Sequence, residues 1–169
     1  VSIREIPGVP FFDLRVEPGS AACSAVESAL GIKLPMKVGQ VSGVAAELQA
    51  IGLGPDGWLL VGSPEIERIL DPLRSSHHFS VTDVRGQRTV IELEGPHAKA
   101  VLSHLWEQDL RDGSFPVGTA GQGLMVKAPV IVWHAGPQRY RVMVRSSFAM
   151  HLWQALTDAA LEQIGRAHV

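Results

Sequence analysis

Seven histidines, one cysteine and 17 acidic residues are the groups in this 169-residue chain that could ligate a metal, move a proton or attack a carbonyl. Their spacing argues against each in turn. His77 and His78 are adjacent, and neighbours on a strand point to opposite faces. His97 and His104 stand seven apart on a predicted helix, on one face but about two turns from each other, too far to share a zinc ion without a third element. No two histidines are separated by the three residues of an H-x-x-x-H pair. Cys23 sits among small residues with no activating motif, the setting of a packed, inert thiol. There is no G-x-S-x-G nucleophile elbow. Glu92 and Glu94 share one strand face, which is the spacing of an ordinary solvated hairpin. No residue set proposes a reaction, so the expectation is no catalytic residue, no cofactor-binding residue and no metal ligand in this chain.

Gly52-Leu53-Gly54-Pro55-Asp56-Gly57 matches G-x-G-x-x-G letter for letter. In a dinucleotide site that motif opens a helix whose N-terminus receives the pyrophosphate. Here Trp58-Leu59-Leu60-Val61 follows, a strand-like run, and Pro-Asp-Gly is turn chemistry. The expectation is a hairpin.

Two features suit attachment rather than chemistry. Arg139, Arg141 and Arg145 fall on odd positions of one strand, with Tyr140, Val142 and Val144 on the other face. That is either a solvated face or a basic stripe for an acidic partner surface. Trp106 and Trp153 sit beside the main apolar stripes of their helices, and Trp and Arg are the residues that anchor interfaces. The candidate partner interface is therefore Trp106, Trp153, Arg139, Arg141 and Arg145.

The elements that would position these groups follow from periodicity. Phe11 to Val16 reads as a strand. Ser20 can cap a helix running to Leu30, with Val26, Ala29 and Leu30 inward and Gly31 at its end. Val44 to Leu53 and Trp58 to Val61 read as paired strands. Ser63, Pro64 and Glu65 open a helix carrying Ile66, Ile69, Leu70 and Leu73, which Pro72 ends or kinks. Phe79 to Val84 and Arg88 to Glu94 read as a hairpin turning on Arg85-Gly86-Gln87, with Thr89, Ile91 and Leu93 on one face. Gly95-Pro96 opens a third helix with Ala98, Val101, Leu102 and Leu105 inward, and Asp109 to Gly123 reads as a long loop. Strands from Leu124 to His134 and Arg139 to Val144 follow, then a helix burying Phe148, Leu152, Leu156, Ala159 and Ala160. Strands joined by tight turns pair antiparallel, and amphipathic helices cover one face of the sheet they border. The fold class is α+β. One domain over 1–169 is expected, with two fused lobes meeting near 78–95 as its internal division.

Composition excludes several partners. Fifteen basic against 17 acidic residues, net −2, provide no charge excess for nucleic acid. The longest apolar run, 128–133, is far short of the ~20 residues that cross a bilayer, and the amino end carries no apolar run of signal-peptide length. No nucleic acid, no membrane and a cytoplasmic location are the expectations. Charged residues are 19% of the chain, against roughly 25% for soluble domains.

The stretch from Phe79 to Leu102, a strand, a turn, an alternating strand, then Gly95-Pro96-His97-Ala98 and a helix, resembles the opening of aminomethyltransferase-like proteins. Val130 to His134, Tyr140 to Val144 and Ser147 to Trp153 are similar to that family's second hairpin and helix. Within it the segments Val26 to Gly31, Leu53 to Leu60 and Phe115 to Gly118 resemble the gamma-subunit family of bacterial heterotetrameric sarcosine oxidases. The resemblance runs from about Val26 to Ala160. It implies the fold of the N-terminal region of folate-dependent aminomethyltransferases, with antiparallel sheets of hairpins and helices on one face. It implies an accessory subunit, not catalytic alone, of a complex that oxidatively demethylates sarcosine to glycine with oxygen and tetrahydrofolate as acceptors. The partners implied are a large alpha subunit in direct contact and beta and delta subunits beside it. FAD, FMN, NAD and tetrahydrofolate are implied for those other subunits. The K-G-C-Y-x-G-Q-E motif of folate-binding iron–sulfur maintenance proteins is missing, and no counterpart of an aminomethyltransferase catalytic aspartate stands in a suitable setting. The alternatives are a standalone folate-binding one-carbon transfer protein and a small regulatory binding module.

Overall fold

The computed structural model describes residues 1–44 and 47–166, with side chains as far as Glu162. The chain divides into two compact units: Gly8–Arg85 is one, while Val1–Pro7 and the chain from Gly86 onward form the other.

In the 8–85 unit, β2 (Phe11–Arg15) leads to α1 (Ala21–Leu30). Ser20 Oγ accepts a hydrogen bond from Cys23 N at the helix start, and Gly31 closes it in the left-handed region at φ 69°. The buried face of α1 is Ala22, Cys23 and Val26. Ala29, expected inward, is exposed and Leu30 half-buried, so the apolar stripe lies one turn earlier than the sequence suggested. Strands β3 (Val41–Val44), β4 (Leu48–Gly52), β5 (Gly57–Val61) and β6 (Ser80–Asp83) complete an antiparallel sheet in the order β3-β4-β5-β2-β6. The expected strand over 44–53 is thus the end of β3 and all of β4, and Ala45 and Ala46 lie outside the described residues. Between β4 and β5 the Leu53 and Gly54 amides both donate to the Gly57 carbonyl, at 2.9 and 3.2 Å. The G-x-G-x-x-G string is a hairpin turn, as its chemistry predicted. Helix α2 (Ile66–Leu70) is a single turn that tightens at once into a 3-10 segment through Pro72. Phe12, Leu14, Val26, Trp58, Leu60, Ile66 and Leu70 are among the core residues of this unit.

In the other unit, β1 (Ser2–Ile6), β7 (Arg88–Glu94), β10 (Arg139–Arg145), β9 (Ala128–Gly136) and β8 (Ala120–Met125) form a second antiparallel sheet in that order. Helices α3 (Ala98–Leu105) and α4 (Ala149–Arg166) share a core with one face of it, containing Ile91, Leu93, Val101, Leu102, Val132, Tyr140, Val142, Leu152 and Leu156. Phe148, expected among the buried residues of the last helix, instead precedes it in a 3-10 turn and is exposed.

The antiparallel α+β architecture matches the expectation. The hairpin expected over 79–94 does not form. β6 pairs with β2, Leu14 facing Val81, whereas β7 pairs with β1 and β10. At the end of β6 the Asp83 carboxylate accepts hydrogen bonds from the Arg85 amide at 3.0 Å and from Arg85 Nε at 2.8 Å. The strand expected over 124–134 is likewise two strands, broken at Val126 and Lys127, both at positive φ. β8 begins inside the stretch expected to be loop.

Candidate functional site

Alternation along β7 puts Thr89, Ile91 and Leu93 toward the helices and Val90, Glu92 and Glu94 on the opposite face. Glu92 is not on a solvated hairpin as expected; it is 1% exposed. Its neighbours across the two ladders are Arg4 on β1 and Arg141 on β10. Arg4 Nε and Arg141 Nε each donate to it at 2.9 Å, one to each carboxylate oxygen. Burial pushes the Glu92 carboxyl up, but the two guanidinium hydrogen bonds and their charges outweigh it and hold it below the usual carboxylate range. The Arg141 guanidinium also lies 5.3 Å from the centroid of the Trp133 ring, the geometry of a cation–π contact.

This arrangement answers half of the basic-stripe expectation. Arg141 is committed to Glu92 and Trp133 within the chain. Arg139 is half-buried, its guanidinium packed against Gly136, where an added Cβ would come within 2.9 Å of it. Arg145 is exposed. One member of the stripe, Arg141, has its counter-charge within the chain, which alternation alone could not reveal.

The tryptophans also separate. Trp106 closes α3 and is 3% exposed, with its ring edge-on to Phe115 at 5.6 Å and lying over β8. β8 holds Gly121 and Gly123 because a Cβ at either would meet the indole at 2.8 or 2.9 Å. Trp106 is therefore a core residue with little surface to offer a partner. Trp153 is half-buried on α4 and lines a groove of about 270 Å³ with Glu5, Thr89, Ile91, Ala149 and Met150. Met150 is 69% exposed, so this groove has an apolar rim open to solvent; Phe148, 38% exposed, precedes α4.

A second feature went unnoticed in the sequence. The rings of Trp106, Phe115, His134 and Tyr140 run as a column. Phe115 and His134 are parallel at 6.2 Å, and His134 and Tyr140 stack at 4.3 Å. His134 Nδ1 bonds the Phe115 carbonyl oxygen at 2.8 Å, which fixes the ring. The column ends at a cavity of about 330 Å³ where Lys99 and Asp112 pair at 2.7 Å. That pairing raises the Lys99 ammonium and lowers the Asp112 carboxyl, while burial pushes the Tyr140 phenol up. The one available signal was that Tyr140 is the chain's single tyrosine, on a strand face otherwise aliphatic.

Among the described residues no group of three or more His, Cys, Asp or Glu could hold a metal ion, and no helix is long and apolar enough to cross a membrane. Cys23 is buried. What the arrangement supports is docking and small-ligand contact.

Comparison with known proteins gives a consistent picture. The model of the family described as "Sarcosine oxidase, gamma subunit family" matches residues 16–162. The chain is 34% identical over 165 residues to the sarcosine oxidase subunit gamma of Corynebacterium sp. (strain U-96), covering 96% of this chain and 80% of that one. Against the subunit gamma of Arthrobacter sp. the identity is also 34%, with 96% and 81% covered. Among solved structures it is similar to a chain of the heterotetrameric sarcosine oxidase from Corynebacterium sp. U-96 in complex with pyrrole 2-carboxylate. That match has a TM-score of 0.90 and 33% identity over 95% of this chain and 84% of the other. The glycine cleavage system aminomethyltransferase T from Bartonella henselae shares the fold, at TM-score 0.65 and 17% identity over 91% of this chain and 44% of that one.

Proposed function

The chain belongs to the sarcosine oxidase gamma subunit family, and we propose that it serves as the accessory subunit of a heterotetrameric sarcosine oxidase. In this reading it packs directly against the large alpha subunit, with beta and delta subunits in the same assembly, and works in the cytoplasm. The complex oxidatively demethylates sarcosine to glycine, with oxygen and tetrahydrofolate as acceptors. FAD, FMN, NAD and tetrahydrofolate are held by the other subunits, and this chain contributes no catalytic group.

The observation that carries the reading is the structural match over 95% of the chain to a chain from such an assembly. The described residues add a physical reason for an accessory role. Many of their charged groups are spent on one another, as in Arg4–Glu92–Arg141 and Arg111–Asp109.

The proposed contact surface is the groove beside Trp153, with Met150 on its rim and Ile91 on its floor. Of the five residues singled out from the sequence, Trp153 and Arg145 keep the surface such a contact requires. An exposed apolar rim on a groove is the kind of surface a permanent subunit interface covers.

The test is co-expression with the neighbouring subunit genes. The expected result is a stable complex with sarcosine-dependent oxygen uptake, no turnover by this chain alone, and loss of assembly in Met150→Glu while the chain keeps its circular dichroism. A well-behaved monomer with turnover of its own overturns the reading. Tight tetrahydrofolate binding by the isolated chain does so too, in favour of a one-carbon transfer protein.

A further inference from the structure

The cavity at the end of the aromatic column is not used by the proposed subunit contact. Lys99, Asp112, His134, Gln138 and Tyr140 are among its lining residues, and its volume of about 330 Å³ is that of a small-ligand site. Tyr140 is 2% exposed, and the little surface it keeps lies at this cavity. Its hydroxyl is not among the buried polar atoms left without a partner; it opens onto the cavity, where it is a donor and acceptor available to whatever enters. Beside it, Lys99 and Asp112 present a cation and an anion 2.7 Å apart. Gln138 follows Pro137 at φ 55°, a conformation that most residues avoid and glycine accepts readily. The strained position keeps a side-chain amide at the cavity wall that a glycine would lack.

We infer that this cavity binds the zwitterionic end of a small free amino acid. The Lys99 ammonium, the Tyr140 hydroxyl and the Gln138 amide N–H donate to its carboxylate, and the Asp112 carboxylate accepts from its ammonium. A simple anion would have to face Asp112 and a simple cation Lys99. A ligand carrying both charges on neighbouring atoms satisfies the pair. Opening that pair is cheap, because exposed ion pairs contribute little on their own.

Tyr140 is the chain's only tyrosine, so 3-fluorotyrosine labelling places one fluorine resonance at the site. Titration with glycine into the tens of millimolar is expected to move that resonance saturably, while acetate and methylammonium, the two halves of the ligand, do not. Lys99→Met and Asp112→Asn are expected to weaken the glycine response about tenfold or more, with unchanged circular dichroism, since neither side chain is part of a core. An acetate response equal to that of glycine overturns the zwitterion assignment. No saturable glycine response, or one that survives both substitutions, overturns the site.

Discussion

Replacing Glu92 tests whether its two guanidinium partners hold the sheet together or merely decorate it. In Glu92→Ala the Arg141 side chain, 28% exposed, loses its carboxylate but keeps the Trp133 face and some access to water. Arg4 is open to solvent and is left out of the sum. A hydrogen bond between charged groups contributes about 1.5–3 kcal/mol, and the lost side chain was itself buried, so a loss of about 2–3 kcal/mol is expected. For a chain of this size that lowers Tm by about 5–10 °C. Glu92→Gln, which keeps the shape and one acceptor oxygen, is expected to lose roughly half as much. The pH dependence gives the sharper test. The folded carboxyl is held below its ordinary value, so its contribution is complete above the unfolded pKa of about 4.3 and is lost as pH falls through the lower folded pKa. Urea titrations monitored by circular dichroism from neutral pH down through this range should show the wild-type and Glu92→Gln curves converging on acidification. A constant gap across that range, or a Glu92→Ala loss under about 1 kcal/mol, refutes the argument that the paired charge contributes to stability.

Four other substitutions, Gly113→Ala among them as a control, probe close packing, a helix cap and a buried hydrogen bond. Gly121→Ala puts a Cβ 2.8 Å from the Trp106 ring and 3.3 Å from Phe115 and should cost about 1–3 kcal/mol in a urea titration; Gly113→Ala, with nothing within 4 Å, should not. Ser20→Ala removes the acceptor of the Cys23 amide, 3.0 Å away, and should cost about 1 kcal/mol, with faster amide exchange confined to the first turn of α1. Trp58→Phe strands the Pro35 carbonyl, which accepts from the buried indole at 2.9 Å, and should cost about 1–3 kcal/mol for the lost hydrogen bond, with the space left by the smaller ring adding to it, in a urea titration.

How much of this was legible depended on whether the signal was local. The cap at Ser20, the left-handed Gly31 and the Pro-Asp-Gly hairpin were read correctly because each is settled within a few residues. β1 was missed because Ser2-Ile3-Arg4-Glu5-Ile6 has only a weak alternation, and it is a strand because β7 offers it a ladder. The Gly-rich start of β8 looked like loop for the opposite reason. Its glycines admit the Trp106 ring, a residue 15 positions from Gly121 along the chain. The aromatic column was invisible because its members come from the end of α3, a loop and two strands.

Residues 79–94 combine two strands and a tight turn, the local pattern of a hairpin. Local chemistry identified the strands correctly but could not choose their partners. Val81 pairs opposite Leu14 and Ile91 opposite Val142, so each strand is held by residues far away in the sequence. Alternation carries the same ambiguity at Glu92. It assigned Glu92 and Arg141 correctly to one face of their strands, yet parity says only that two residues face the same way. Whether that face meets water depends on what covers the sheet. A carboxylate placed between arginines on both neighbouring strands tolerates either outcome: it is solvated if the face is open and paired if the face is closed. Glu92 is paired, with 1% of its surface exposed. The arginine stripe that suggested an acidic partner therefore already has part of its acid within the chain, and the search for a partner surface moves from that strand to the apolar rim beside Trp153.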